Sequence, residues 1–301
     1  MFRRVLWLIP VLWFVATVTF FLMHFVPGGP FDSEVTHSST QQHNLEVKYG
    51  LDEPVMTQYW IFLKGAVQGD LGVSFQFQNR PVTEVLGAGI GTTATLGVLA
   101  AAYAMVIGIV LGVLSALKQN GPIDYASVMF ATIGASVPNF VLGIFLVTIF
   151  SINLGWTPVL GWGDWKHMIL PVITLGSLSA SYIARITRAS MVEVIRQDFV
   201  RTARAKGLAE RAVVLRHIMR NALIPVITLA GPITAALVTG SFIIEQFFAI
   251  PGIGRSFVQA VFARDYGMIM GTTLFYAAVV AFANLAVDLL YGVADPRIRY
   301  N

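Results

Sequence analysis

A chain of 301 residues that is 56% hydrophobic and 12% charged, with a mean hydropathy of +0.71, carries about half the charge that a soluble protein of its size spreads over its surface. A single large soluble core is excluded on those terms, which leaves burial in a lipid bilayer. Net charge is +4, and with no cysteine there are no disulfides, thiol nucleophiles or cysteine-ligated metals.

Six runs of 18 residues or more contain no Asp, Glu, Lys or Arg: 5–31, 85–117, 125–163, 167–184, 221–244 and 266–287. A helix needs about 20 apolar residues, rising about 1.5 Å each, to cross a hydrocarbon core about 30 Å thick. Each run predicts one crossing, so the expectation is an all-α integral membrane protein with six transmembrane helices. The first, 5–26, follows Met1-Phe2-Arg3-Arg4, and the "VPGGPFD" after it lacks a small-x-small cleavage site, so it reads as an uncleaved signal anchor. Residues 27–90 are an external segment with seven acidic residues between Asp32 and Glu84. Within it Val55, Tyr59, Phe62, Leu63 and Ala66 fall at helical spacing, with Asp52 at the expected N-cap, Pro54 in the first turn and breaks at Gly50 and Gly69.

The second span, 91–117, carries Gly108 and Gly112 four apart, a spacing that lets helices approach closely in lipid. "KQNGPID" (118–124) is a tight turn, and the third span, 126–152, carries Pro138 as a tolerated kink. "NLGWTPVLGWGDW" (153–165) places Trp156, Trp162 and Trp165 where a membrane–water interface is expected. The fourth span, 168–192, runs straight into a cationic stretch. The fifth covers 221–244 and carries Pro232; the sixth covers 269–291. The organisation expected is therefore a first helix (1–26), the external segment (27–90), a five-helix core (91–293) holding a cytoplasmic elbow (193–220), and a tail (294–301). With the N-terminus inside, the cytoplasmic pieces hold 14 of the 20 Lys and Arg, which obeys the positive-inside rule and puts both termini in the cytoplasm.

Nine of those cations fall within 185–220. There Asp198 is the expected cap of a short helix, Gly207 its left-handed terminator, and a second helix begins near Leu208, with Leu208, Ala212, Leu215 and Met219 along one face. Anionic lipid headgroups would account for the charge at about 1 kcal/mol per cation. They do not account for a capped and hinged pair of helices. A nucleic-acid reading lacks interleaved aromatics. The remaining reading is a stiff plug for a cytoplasmic partner, able to pass motion to the spans on either side.

At this point the chain resembles a known family. "TARAKG" (202–207), followed ten residues later by "HIMRNALIP" (217–225), looks like the cytoplasmic coupling motif of ABC importer permeases. "LDEPVMTQYW" (51–60), "GDLGVSF" (69–75), "RPV" (80–82), "IPGIGR" (250–255), "RDY" (264–266) and "DPRIRY" (295–300) resemble landmarks of the oligopeptide and dipeptide branch. The resemblance covers nearly the whole chain. It implies a type I ABC importer permease fold with an external helical insertion between spans 1 and 2. It also implies peptide transport, with a homologous sister permease, two ATP-binding subunits and an external peptide-binding protein as partners. ATP and magnesium would be bound by the ATPases, and this chain would hold no cofactor. The motif's Glu-Ala-Ala triplet falls on Arg201, Thr202 and Ala203, and its glycine on Gly207, so two of the three triplet residues differ; its later proline falls on Arg220, with Pro225 nearest. The implied ATPase-coupling residues are Arg201, Thr202, Ala203, Arg204, Gly207, Leu208, Glu210, Arg211 and Leu215.

None of the five lysines stands in a Gly-Lys-Ser/Thr phosphate loop, and the five histidines are scattered without metal-ligand spacing. No catalytic residues are expected. Charged residues inside the spans are few: Glu245 near the outer end of the fifth, and Asp288 near the inner end of the sixth with Asn284 one turn away. These three are the candidates for a pathway or gate. Glu245 is as well suited to pair with Arg255 or Arg264, and Asp288 to be a partnered helix-end charge. A stand-alone channel, a secondary carrier and a scaffold without a transport role are the competing functions. A related importer for glutathione or nickel chelates is the competing substrate reading.

Overall fold

The computed structural model describes residues 2–26, 47, 50–77 and 80–294, and the side chains of all of these except 2–5 and 286–294. Residues 27–46 and the tail from 295 onward lie outside the described residues, as does the Asp288 side chain. Among the described residues the chain is helical, with one isolated bridge between Val73 and Pro81.

The helices are α1 (Phe2–Phe25), α2 (Val55–Val67), α3 (Val82–Leu117), α4 (Pro122–Ser136), α5 (Asn139–Asn153), α6 (Trp165–Ile195), α7 (Asp198–Ala205), α8 (Glu210–Ala222), α9 (Ile224–Val238), α10 (Phe242–Phe247), α11 (Ile253–Phe262) and α12 (Tyr266–Ala294). Among the described residues four segments are long and apolar enough to cross a membrane: Leu6–Phe25, Val82–Leu117, Trp165–Ile195 and Tyr266–Leu285. The bent pairs α4–α5 and α8–α9 bring the number to six when each is taken as one crossing.

The third span departs from the expected kink. Val137 is extended (φ −87°, ψ 124°), Pro138 stands as the N-cap of α5, and the two helices turn through 114°. Pro138 lacks the N–H that would continue the ladder, and its ring drives the preceding residue out of the helical region. Pro232, by contrast, sits inside an unbroken α9. The fifth span ends sooner than expected, at Val238, because Gly240 takes φ +84° and Ser241 starts a new short helix by accepting from the Ile244 N–H.

The residues group into two compact units. The first comprises 1–93 with 251–286. In it α2 packs on α1: Tyr59 is buried, its ring lies 5.3 Å from Phe20, and its hydroxyl is 2.8 Å from the Thr17 hydroxyl. Pro54, not Asp52, occupies the N-cap of α2 and makes no side-chain cap bond; Gly50 and Gly69 both take positive φ, as expected of breaks. Two of the sequence landmarks meet here. Buried Asp265 of "RDY" caps α12 by accepting from the Met268 N–H (3.1 Å), and it also accepts from the Ser74 hydroxyl of "GDLGVSF" and the Gln76 N–H. A third landmark is held by the Thr93 hydroxyl, which accepts from the Ile253 N–H of "IPGIGR" at 3.0 Å.

The second unit comprises 94–250 with 287–301. Its centre is the contact of α3 with α6. A Cβ on Gly108 would come within 2.7 Å of the Ile183 side chain, and one on Gly176 within 2.7 Å of the Ala100 carbonyl oxygen, so the small residues serve packing inside this chain. α6 begins at Asp164, whose carboxylate accepts from the Lys166 and His167 N–H groups and from the His167 ring (2.7 Å). Those contacts, the His167 ring first, hold the Asp164 carboxyl below the usual range.

Candidate functional site: the cationic elbow

The elbow is built as a chain of local decisions. α6 ends at Ile195, and Gln197 rather than Asp198 takes the N-cap position of α7, with no side-chain cap bond. Asp198 lies one residue further in, where its charge faces the positive end of the helix dipole and pairs with Arg201 at 3.6 Å. At the other end, Gly207 takes φ +73° and its N–H donates to the Arg204 carbonyl (2.9 Å), while the Leu208 N–H donates to the Ala203 carbonyl (3.4 Å). That pair of bonds is a Schellman closure, which satisfies two orphan carbonyls and reverses the chain in one residue. The turn is then tied from outside. Arg204 donates two hydrogen bonds to the Glu210 carboxylate, at 2.7 and 3.1 Å, across the hinge. The guanidinium keeps the Glu210 carboxyl below its ordinary range, and the carboxylate raises Arg204 in return.

α8 contains a wide π-helical stretch, Val213–Ile218. Its extra residue per turn shifts the register, so that Val213, Ile218 and Ala222 are the fully buried positions, five and then four apart. With Val200 and Ala203 of α7 they close a hydrophobic cluster over Ala116 of α3 and Met191 of α6. The elbow is therefore seated on the ends of two packed helices. The face read from the sequence is split by the same shift of register: Leu208 is 43% and Leu215 51% exposed, whereas Ala212 is half-buried and Met219 packs against the seat. Arg201, Thr202, Arg211 and Glu210 are exposed beside the two leucines, whereas Ala203 points into the seat. The result is a seated wedge presenting two leucines among exposed cations and two ion-paired carboxylates, Asp198 and Glu210.

Sequence reasoning missed the seat itself. Val213, Ile218 and Ala222 escape a 3.6-residue reading because the π stretch breaks the period, and Val200 stands in a helix of only eight residues, too short to show one. It also missed an ion pair beside the seat, between the buried Asp124 of α4 and the half-buried Arg188 of α6. Glu245 lies in the first turn of α10 and is completely buried; Asn284 lies near the end of α12 and is exposed. They belong to different units. Among the described residues no group of three or more His, Asp or Glu is placed to hold a metal ion.

With the geometry established, known proteins give the frame. Residues 108–300 match the family described as binding-protein-dependent transport system inner membrane component, and residues 1–96 match the model of its N-terminal part. The chain is 44% identical over 285 residues to the dipeptide transport system permease protein DppB of Bacillus subtilis, covering 95% of this chain and 92% of that one. It is 42% identical over 300 residues to the oligopeptide transport system permease protein OppB of Escherichia coli K12, covering 99% and 98%. Among solved structures, the MetNI methionine ABC transporter in an inward-facing conformation superposes with a TM-score of 0.59 at 18% identity, over 70% of this chain and 97% of that chain, which is a likeness of fold. A helical, multi-pass chain whose model match, relatives and fold all agree belongs to the family of binding-protein-dependent transport system inner membrane components, the permease subunits of ABC importers.

Proposed function

We propose that this permease carries peptides inward across the inner membrane, together with a homologous sister permease, and that two separate ATP-binding subunits drive it by gripping the elbow. The observation that carries the reading is the outward face of that elbow. Leu208 and Leu215 are exposed on a wedge whose turn is closed by a glycine, a Schellman pair and the Arg204–Glu210 bridge. A floppy loop dissipates a push from a partner, whereas a seated wedge hands it to the helices beneath. The peptide substrate is supported by the names of the dipeptide and oligopeptide relatives. In this reading an external binding protein delivers the peptide, both termini lie in the cytoplasm, and ATP and magnesium are held by the partner subunits. Glu245, Asn284 and Asp288 are the proposed polar residues of the pathway or its gate.

The test is reconstitution of the purified assembly into proteoliposomes, with the binding protein outside and ATP inside. Labelled peptide uptake that requires all components supports the reading. Uptake by this chain alone without ATP, or an elbow that cross-links only to lipid, overturns it. Competition by glutathione or nickel chelate, with none by tri- or tetrapeptides, would assign a different substrate.

A further inference from the structure

Asp124 is a carboxylate with 3% of its surface exposed, in the first turn of α4. Its two oxygens are saturated. Oδ1 accepts from the Arg188 Nε at 2.7 Å and from the Ser115 hydroxyl; Oδ2 accepts from the Arg188 Nη2 at 2.7 Å and the Asn120 N–H at 2.9 Å. Three helices meet in this one group: Ser115 is on α3, Arg188 on α6 and Asp124 on α4. The neighbours of the tie matter as much as the tie. Ala116 follows Ser115 and Met191 lies one turn beyond Arg188, and those two residues floor the hydrophobic seat of the elbow. Seat and ion pair thus share the same two helix ends.

An ion pair with a buried carboxylate and a half-buried guanidinium is a poor device for stability alone, since taking the carboxylate out of water offsets much of the attraction. It is a good device for direction, because a two-pronged guanidinium–carboxylate grip fixes both distance and orientation. What it fixes here is α4, which runs on to the 114° break at Val137–Pro138. Along the way Gly134 packs against Ser181 of α6. The segment after the break, α5, starts from a proline and is free of the backbone ladder of α4.

We propose that Asp124 and Arg188 are positioning residues of the transport cycle: an ionic latch that makes α4 follow the elbow, so that movement delivered to the elbow is expressed at the Val137–Pro138 break. The inference deepens the proposed function and rests on it. Neither residue touches substrate or nucleotide; they act through α4.

The experiment uses the complete importer in proteoliposomes and measures peptide molecules imported per ATP hydrolysed. The wild-type assembly is run first; its failure to import peptide in an ATP-dependent way would overturn the proposed function and with it the latch that rests on it, whereas the variants that follow strike the latch alone. Given wild-type import, Asp124→Asn is expected to keep its ATPase partners and hydrolyse ATP, while import per ATP falls about tenfold, within the range of typical coupling effects. The natural chain has no cysteine, so an Asp124→Cys/Arg188→Cys pair supplies its only thiols, in partner subunits freed of accessible cysteines. That pair is expected to be uncoupled as made. It is expected to regain most of the wild-type ratio when a short bifunctional thiol reagent joins the two positions. A merely structural pair would lower the melting temperature and the retention of the ATP-binding subunits together with import, whereas the latch predicts that import per ATP falls while retention holds. A wild-type ratio in Asp124→Asn, or a cross-linked pair as uncoupled as the open one, overturns the inference. If Asp124→Asn fails to assemble, the cross-linkable pair decides alone.

Discussion

Replacing Gly207 tests the mechanical role of the elbow with little steric interference, because a Cβ built there meets nothing within 4 Å. The cost of a side chain is then conformational. At φ +73° an alanine pays about 1–2 kcal/mol for the left-handed region, and asparagine pays less because its short polar side chain tolerates that region. Proline fixes φ near −65° and removes the N–H that donates to the Arg204 carbonyl at 2.9 Å. It forfeits the closure altogether, and with it the register of Arg204 against Glu210. A shift of about 1–2 kcal/mol changes the population of the closed elbow by a factor of about 5–30. The expected order of import per ATP is Gly207 first, then Gly207→Asn, Gly207→Ala and Gly207→Pro. Basal ATP hydrolysis should change least, because the catalytic groups lie in other subunits on this reading. The assay is peptide uptake and phosphate release measured on the same proteoliposomes, with retention of the ATP-binding subunits on a tagged permease as the control for assembly. A Gly207→Pro variant that assembles and imports at the wild-type ratio would refute the claim that the closed turn transmits force.

Leu208→Asp with Leu215→Asp puts charge on the two exposed leucines while leaving the seat intact, so the chain should insert normally but lose its ATPase partners on purification; full retention would remove the outward face from the interface. The Arg204–Glu210 bridge gives a pH signature. Its carboxyl is depressed in the folded elbow, so the bridge contributes fully above the ordinary Glu value of 4.5 and is lost as pH falls through the lowered folded value. Amide protection at Leu208 to Ala212, taken relative to the intrinsic exchange rate at each pH, should therefore fall in acid, and Glu210→Gln should abolish that dependence by lowering protection at every pH. Gly112→Val drives a side chain into Thr187 and toward the Ala184 carbonyl oxygen, at 2.7 Å for the Cβ alone. Overpacking of this kind costs about 1–3 kcal/mol, so the melting temperature of the detergent-purified permease should drop; an unchanged value would argue that α3 and α6 separate easily.

Much of the architecture was legible because it is set by one-dimensional quantities. Apolar run length predicts where helices are long enough to cross, and a lone glycine at the end of an amphipathic stretch predicts the closure at Gly207. What escaped the sequence is set in three dimensions. Asp124 and Arg188 are 64 positions apart, and Ser74 and Asp265 are 191 apart, distances over which a single sequence offers no pairing signal. The seat was hidden for a different reason: a π stretch places Val213 and Ile218 on one side, and a 3.6-residue rule assigns them to two. Pro138 was visible, but whether a proline kinks or breaks depends on the partners of the freed carbonyls. Val137 settles that locally by turning extended. The same residue type at Pro232 leaves a helix intact.

These particulars explain why the departures at Arg201 and Thr202 from the family's triplet leave the elbow intact. Both side chains are exposed and, among the described residues, bond only within their own helix, Arg201 to the Asp198 carboxylate and the Thr202 hydroxyl to the Asp198 carbonyl, so on the proposed reading their identity matters first at the partner surface. The third triplet position, Ala203, is buried in the cluster that also holds Val213, Ala116 and Met191, and a larger residue there would lift α7 off its seat. Ala203 also supplies the carbonyl that accepts from Leu208, which joins the seat to the hinge through a single residue. On the proposed reading the first two positions answer to the partner, while the third is held by packing below and by the turn ahead.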